Sequence, residues 1–359
     1  MLHGGLHGPR RFALRGLLLI VTLGLLAWVI AVNRTWLVEV ARRGPRWELV
    51  AMAIGLLVAE SFNLTVRWRL LLDAVGVRLP FSRVYRMVAG SIVANLVMPG
   101  ANGGDALKIA LVATATPDRA KAIATLLLDR IIGLCGLLLI GALAGAISWG
   151  TAPEGVRTMT LVAGGLGGLG LLGLMWLQSR WSLPSAPRGM RLPGGLDRLV
   201  TQLGEGRSAL RARPAAVPLA LLLAAGGQML NIGAFYLMTR AFRIDEGTLA
   251  SFFVLVPFAF LSTAVPLPLG ALGVAEGFSD QLFSWCGITG GGLGMLGFRF
   301  AYTLSTPVLL AILLIQGGAA GLPWRKAARG DDSADEPESC SRSRPAVAGL
   351  SPDQMGHRP

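Results

Sequence analysis

The sequence predicts an all-α integral membrane protein with six spanning helices and two broken helical hairpins, arranged as an inverted-topology repeat. Of its 359 residues, 53% are hydrophobic and only 15% are charged, with a mean hydropathy of +0.59. A soluble domain carries about 25% charged residues. The apolar residues form blocks of the roughly 20 residues that a helix needs to cross about 30 Å of hydrocarbon. This composition argues against a water-soluble globular enzyme.

Six of these blocks are long enough to span as single helices. The first, residues 12–32, follows Arg10 and Arg11 and lacks the small-residue cleavage site of a signal peptide. We therefore expect an uncleaved helix, preceded by a cytoplasmic N-terminus over residues 1–11 and beginning a transmembrane domain over residues 12–320. The other five blocks are residues 47–66, 120–148, 156–177, 217–239 and 293–316.

Two more apolar blocks, residues 84–115 and 249–285, are interrupted midway by helix-breaking residues. Such breaks favour hairpins that are either re-entrant or made of two short crossings. The predicted break residues are Pro99, Gly100, Gly103 and Gly104 in the first block and Pro266, Pro268, Gly270 and Gly273 in the second.

The charge distribution predicts the orientation. There are 33 Lys and Arg against 20 Asp and Glu, a net charge of +13, and the positive-inside rule explains this excess without nucleic-acid binding. With two hairpins, the basic loop at residues 179–216 and the polar, disordered tail at 321–359 fall in the cytoplasm, so both termini are expected to be cytoplasmic. The exception is the first external loop, which contains Arg34, Arg42, Arg43 and Arg46.

The cysteines and histidines predict no cofactor. The three histidines, His3, His7 and His357, lie at the extreme termini. Two cysteines, Cys135 and Cys286, fall in apolar blocks at no metal-ligand spacing. We therefore expect no metal site and no disulfide framework, and the absence of an activated nucleophile predicts that the chain is not an enzyme.

With this topology, residues 47–148 and residues 217–316 form two halves of opposite orientation. Substrate sites in inverted repeats form where discontinuous helices meet near the membrane midplane. Polar residues of the two halves match at offsets of 168 to 171: Glu60 with Gln228, Asn63 with Asn231, Pro99 with Pro268, Asp105 with Glu276, and Arg130 with Arg299.

Four charged residues within these halves are candidates for binding a lipid head group. Charged side chains at the bilayer centre are costly and face a partner or a wet cavity. Arg130 and Arg299 are each predicted to present a guanidinium to a lipid phosphate; alternatively, Arg130 pairs with Asp105 or Asp129, and Arg299 with Glu276 or Asp280. A resting ion pair that opens for phosphate satisfies both interpretations. Asp105 is alternatively only a helix cap.

The candidate set also contains Asn102, Asn63 and Asn231, although Asn63 and Asn231 alternatively bond neighbouring helices. Glu60, two turns before Arg67, is expected to form a snorkelling salt bridge with it. The segment from Arg67 to Arg69 is interpreted as an interfacial anchor that alternatively gathers anionic head groups. Two small-residue motifs, Gly141/Gly145 and Gly164/Gly168, are expected to pack helices.

Three segments resemble the lysylphosphatidylglycerol synthase transmembrane-region family, also called flippase-like. They are residues 95–106 (NLVMPGANGGDA), 128–133 (LDRIIG) and 268–276 (PLGALGVAE). The resemblance covers roughly residues 12–320. It implies a bacterial inner-membrane protein that moves aminoacylated phosphatidylglycerol or isoprenoid-linked lipids between leaflets.

The sequence departs from the family pattern at two positions. Ala101 stands where the family commonly has Arg, and Asp129 where it commonly has Glu. Synthase members also carry a soluble aminoacyl-transfer domain after the membrane region, and here a short polar tail follows, so the chain is expected to synthesise nothing by itself.

We therefore expect a lipid transporter for a phosphate-bearing lipid, with membrane lipids as its partners. The alternative is a non-transporting scaffold or accessory subunit of a lipid synthase or glycosyltransferase. Transport by the purified chain separates the two predictions.

Overall fold

The computed structural model describes residues 42–97, 103–179, 210–264 and 272–317, with isolated positions 31, 34, 38 and 208. Over these residues the regular structure is entirely helical, as predicted. Among the described residues we number nine α-helices whose bounds are defined: α1 Trp47–Ala74, α2 Phe81–Val97, α3 Gly103–Ala115, α4 Arg119–Ile147, α5 Glu154–Gln178, α6 Ala216–Ala241, α7 Leu249–Leu261, α8 Val274–Ser284 and α9 Gly291–Gly317. A 3₁₀ turn, Ser262–Ala264, follows α7.

Five of these helices, α1, α4, α5, α6 and α9, are long and apolar enough to cross a membrane. They correspond to five of the six predicted spans. The first predicted span, residues 12–32, lies outside the described residues. So do the predicted N-terminal segment 1–11, nearly all of the basic loop and the tail at 321–359.

Helix α1 continues eight residues beyond its predicted end. Trp68 is fully buried within it, and Arg67 is only 6% exposed. The interpretation of residues 67–69 as an interfacial anchor is therefore wrong for Arg67 and Trp68. The helix extends because both side chains find partners on α4, as described below.

Helices α1 and α6 pack antiparallel, and their contacts define the two ends of the bundle. At one end the Arg46 N–H donates to the Ala241 carbonyl at 3.0 Å. At the other, Arg213 Nη1 donates to the Asp73 carbonyl at 2.5 Å. We call the end where α1 stops and α6 begins the basic end, and the other the distal end.

A surface ion pair also joins these two helices at the distal end. Arg46 donates to both carboxylate oxygens of Asp245, at 2.9 and 3.1 Å. The adjacent guanidinium lowers the pKa of the Asp245 carboxyl below its ordinary range.

Helix α4 runs antiparallel to α1, and α9 runs antiparallel to α6. Trp68 Nε1, late in α1, donates to Thr125 Oγ1, early in α4, at 3.1 Å, so α4 begins at the basic end. Gly294, early in α9, packs against Thr239, late in α6, so α9 begins at the distal end. A Cβ at Gly294 would lie 2.8 Å from the Thr239 hydroxyl, so glycine permits this close approach.

Each broken segment leaves and rejoins the bundle at one end. Helices α2 and α3 connect the end of α1 to the start of α4, both at the basic end. Helices α7 and α8 connect the end of α6 to the start of α9, both at the distal end. The four helices have 17, 13, 13 and 11 residues, fewer than the roughly 20 needed to cross alone. The residues at the breaks, 98–102 and 265–271, lie outside the described part.

Helix α5 packs on α4 through only one of the two predicted small-residue motifs. A Cβ at Gly145 would lie 2.0 Å from Thr160 Oγ1, and one at Gly141 would lie 3.1 Å from Pro257. By contrast, a Cβ at Gly168 would have no described residue within 4 Å, and one at Gly164 would lie 3.7 Å from the Ala142 Cβ, an ordinary contact. The prediction is therefore confirmed for the α4 motif, whereas the α5 motif makes no comparably close contact among the described residues.

Candidate functional site

Two matching ion pairs connect the broken segments to the long helices that follow them. Asp105 is the third residue of α3 and pairs with Arg130 on α4. Glu276 is the third residue of α8 and pairs with Arg299 on α9, with Nε and Oε1 2.6 Å apart. Since the Arg299 N–H is not directed along this line, the second contact is an electrostatic pair rather than an aligned hydrogen bond. The structure thus contains one of the two alternative pairings predicted for each arginine.

Local backbone geometry holds both carboxylates at the start of a helix. Glu276 Oε2 accepts a hydrogen bond from the Gly273 N–H at 2.5 Å. Gly273 has φ +83°, a conformation that glycine adopts without steric penalty. A carboxylate in the first helical turn is also stabilised by the helix dipole. Glu276 therefore caps α8 and pairs with Arg299 at the same time, and Asp105 occupies the corresponding position in the first turn of α3.

Helices α2 and α3 approach each other closely beside Asp105. The Gly104 N–H donates to Asn95 Oδ1 at 2.7 Å. A Cβ at Gly104 would lie only 2.1 Å from the Ser91 carbonyl oxygen. The predicted break residue Gly104 is thus required because α2 and α3 are in contact at this point.

The two arginines differ in exposure. The side chain of Arg130 is 66% exposed and that of Asp105 is 34% exposed, while Arg299 is 26% exposed and Glu276 is fully buried. Arg130 lies eleven residues into α4, about 16 Å along it at 1.5 Å per residue. An exposed guanidinium at this depth requires water or a polar lipid group beside it.

Sequence reasoning missed a third, fully enclosed pair between Arg67 and Asp129. Arg67 Nε and Nη2 donate to the two carboxylate oxygens at 2.7 and 3.1 Å, and both side chains are at most 7% exposed. Lys108 is buried beside it, with Nζ 4.4 Å from the Trp68 ring centre. The presence of these charges in apolar blocks was a usable signal, but only tertiary contacts determine which acid meets which base.

Glu60 lacks the predicted salt bridge with Arg67, whose guanidinium binds Asp129. It instead accepts a hydrogen bond from Asn63 Nδ2 at 3.0 Å. The same Asn63 nitrogen lies 2.9 Å from the Leu223 carbonyl on α6. Gly227 leaves room for this cluster, because a Cβ there would lie 2.5 Å from Glu60 Oε2. Asn63 therefore bonds a neighbouring helix, as its alternative interpretation predicted.

For the remaining candidate site residues, the structure defines few contacts or none. Asn231 is partly buried and, among the described residues, makes no hydrogen bond. Several predicted residues lie outside the described part of the chain, so their geometry is not defined: Asn102, Pro99, Gly100, Pro266, Pro268 and Gly270.

Tyr302, which is not in the predicted set, connects the two halves. Tyr302 lies one turn beyond Arg299 on α9 and beside Asn95 on α2. It is also close enough to Arg130 and Asp105 for electrostatic coupling. The two ion pairs therefore flank one polar region shared by α2, α3, α4 and α9.

The described ranges contain no metal cluster at these pairs, and the cavity that is defined lies elsewhere. No group of three or more His, Cys, Asp or Glu residues within them could hold a metal ion. A cavity of about 410 Å³ lies at the basic end instead, and none of its lining residues belongs to the predicted set; they are Arg69, Asp73, Arg78, Leu79, Pro80 and Arg213.

Comparison with known proteins identifies the family. The family profile described as the lysylphosphatidylglycerol synthase TM region matches residues 15–311, which include every described helix except the last six residues of α9. A comparison with individual curated proteins gave no significant match. The chain is thus a multi-pass membrane protein related to lipid metabolism, and it belongs to the lysylphosphatidylglycerol synthase transmembrane-region family.

Proposed function

We propose that the protein moves a phosphate-bearing lipid between the leaflets of a bacterial inner membrane. The observation that carries this proposal is the matched occurrence of two carboxylate–arginine pairs, Asp105–Arg130 and Glu276–Arg299. Each pair connects the first turn of the second helix in a broken segment to the next long helix. Aminoacylated phosphatidylglycerol and isoprenoid-linked lipids are the substrate classes that fit the family.

An inverted-topology repeat supports the proposal. Exchanging α1 with α6, α2 with α7, α3 with α8 and α4 with α9 maps the helix contacts onto each other. The contact of α1 with α9 corresponds to that of α6 with α4, and the contact of α2 with α9 to that of α7 with α4. Since α1 and α6 are antiparallel, the operation that relates the halves inverts their orientation. Transporters built in this way bind substrate between their repeats.

In the proposed mechanism, lipid phosphate replaces a carboxylate on each arginine. The planar guanidinium donates a fork of hydrogen bonds that fits carboxylate and phosphate equally well. Asp105 and Glu276 therefore keep the arginines paired in the resting state, and a head group displaces first one carboxylate and then the other. The greater exposure of Arg130 makes it the arginine that lipid reaches more readily from outside the bundle.

The basic end is proposed to face the cytoplasm. Around it the described residues include eight Lys and Arg against two Asp, while the distal end has six Arg against four Asp and Glu. The predicted basic loop also leaves and rejoins the bundle there. This orientation agrees with the positive-inside rule.

The test is head-group translocation in proteoliposomes containing the purified full chain. Arg130→Gln and Arg299→Gln are each expected to reduce the rate at least about tenfold, the effect of losing one charge-assisted hydrogen bond. The matched control is Arg157→Gln, a partly exposed arginine of α5 at the distal end that takes no part in either ion pair, and it is expected to transport at the wild-type rate.

Double variants separate phosphate binding from a purely structural pair. Arg130→Gln with Asp105→Asn, and Arg299→Gln with Glu276→Gln, remove both charges, so no unpaired charge remains. If the arginines bind phosphate, the double variants stay slow. Wild-type transport by both double variants would show that the pairs only stabilise the fold. No transport by the wild-type chain would favour the scaffold alternative.

A further inference from the structure

The cavity at the basic end is formed by two separate parts of the chain, residues 69–80 and Arg213. Arg69 and Asp73 come from the last turns of α1, and Arg213 comes from the segment before α6. The link between α1 and α2 contributes an arginine, Arg78, and an apolar wall of Leu79 and Pro80. Its volume of about 410 Å³ lies in the range of small-molecule sites, roughly 300–1,000 Å³.

The cavity has an excess of positive charge that its own carboxylate does not neutralise. Three arginines face one acid, Asp73, whose Oδ2 lies 3.7 Å from Arg69 Nε. Arg69 Nε is buried and has no hydrogen-bond partner within the described residues. Arg78 is exposed, and no described Asp or Glu forms an ion pair with it. The charge of the cavity therefore favours binding of an anion with several acceptor oxygens.

The backbone fixes two of these arginines relative to each other. Arg213 Nη1 donates to the Asp73 carbonyl at 2.5 Å, which ties the segment before α6 to the last turn of α1. Val75, Val77 and Leu79 around the link are buried, so the link that bears Arg78 is packed rather than free. A preformed arrangement of guanidinium groups loses less conformational entropy on binding than flexible surface arginines do.

We propose that this cavity binds the phosphate of an anionic phospholipid head group, separately from the Arg130 and Arg299 pairs. The cavity lies at the end of the spanning helix α1, at the level where lipid phosphates meet water. Arginine clusters at this level attract anionic lipids, and the apolar wall suits the glycerol side of a head group. This inference rests on the proposed function for its choice of a lipid over a soluble anion.

The test is a titration of short-chain phosphatidylglycerol into the purified full chain in neutral detergent, followed by microscale thermophoresis. Arg78→Gln and Arg213→Gln are each expected to weaken binding about tenfold. The matched control, Arg83→Gln, removes an exposed arginine two residues into α2 that does not line the cavity and is expected to bind like wild type. Thermal unfolding of each variant checks that it is folded.

Two further titrations identify the source of the phosphate. Inorganic phosphate alone and short-chain phosphatidylcholine are each expected to bind at least tenfold more weakly than phosphatidylglycerol. Equal or tighter binding of inorganic phosphate would overturn the proposal in favour of a soluble anion. Unchanged phosphatidylglycerol affinity in folded Arg78→Gln and Arg213→Gln would also overturn it.

Phosphatidylglycerol binding at the cavity is measured independently of translocation. Binding at the cavity is the part of the phosphatidylglycerol affinity that Arg78→Gln and Arg213→Gln remove, because these arginines line the cavity and Arg130 does not. Loss of translocation with intact, cavity-dependent binding supports both proposals. Binding that depends on Arg78 and Arg213 in a chain that translocates nothing would support the cavity and contradict the proposed function.

Discussion

At the scale of single residues, the charges of this membrane domain are arranged as pairs rather than as isolated groups. Arg67–Asp129 is enclosed on all sides, whereas Asp105–Arg130 is substantially exposed. An enclosed pair cannot exchange its partner without leaving a buried charge, which is strongly unfavourable. The difference in exposure therefore separates a structural pair from one that is accessible to a ligand.

Replacement of Asp129 is expected to reduce stability strongly. Asp129→Asn leaves the Arg67 guanidinium buried without a counter-charge, which costs about 3–5 kcal/mol of unfolding free energy. The matched control is Asp118→Asn, whose carboxylate is 53% exposed and lies 3.7 Å from Lys121; such a pair contributes about 1 kcal/mol or less. Denaturant unfolding in mixed micelles, followed by circular dichroism, measures both effects.

A second variant identifies the cause of this loss. In Arg67→Met with Asp129→Leu both charges are absent, so most of the lost stability is expected to return. If the double variant is as unstable as Asp129→Asn, side-chain packing rather than charge pairing explains the contribution of this site.

At the scale of helices, small residues determine which surfaces meet. The α4 motif allows α5 to approach so closely that Thr160 occupies the space of a side chain at Gly145. Gly168 has the same sequence spacing from its motif partner but no neighbour within 4 Å of an added Cβ. Equal spacing in the sequence therefore does not imply equal packing.

Alanine substitutions at these two glycines are expected to have opposite effects. Gly145→Ala introduces a methyl group 2.0 Å from Thr160 Oγ1 and is expected to destabilise the protein by about 1–3 kcal/mol. Gly168→Ala meets open space and is expected to be neutral or to stabilise by up to about 1 kcal/mol through helix propensity. The melting temperatures of the purified variants compare them, and a lower value for Gly168→Ala would contradict this assignment of contacts.

At the scale of the whole molecule, each broken segment begins and ends on one side. Helices α2 and α3 are attached at the basic end and α7 and α8 at the distal end. A simple crossing in place of either segment would reverse every later helix and remove the antiparallel match of the two halves. The proposed inverted repeat therefore requires that each broken segment return to the end of the bundle at which it began.

Single cysteines are expected to report this topology in a variant with Cys135, Cys286 and Cys340 replaced by alanine. Cysteines at Arg83, in the first turn of α2, and at Asp118, after α3, should react with a membrane-impermeant maleimide from the same side. A cysteine at Thr151, between α4 and α5, should react only from the opposite side. Labelling of the Arg83 and Asp118 positions from different sides would exclude a segment that returns to its starting side.

The sequence by itself determined the membrane class, the family, five helices long and apolar enough to span a membrane, and the positions of the two interruptions. These features follow from local properties, namely apolar block length, charge placement and helix-breaking residues, which need no knowledge of neighbours. The sequence also predicted the pairs Asp105–Arg130 and Glu276–Arg299, each as one of two alternatives.

Only the tertiary structure decided which of those alternatives occurs. It paired Arg67 with Asp129 instead of Glu60, buried Lys108 on Trp68, and brought Tyr302 from the second half towards Arg130 in the first. It also assembled the basic cavity from residues 69–80 and the distant Arg213. A charge in an apolar helix requires a partner, but the sequence does not say which one, because the partner comes from whichever helix packs against that face.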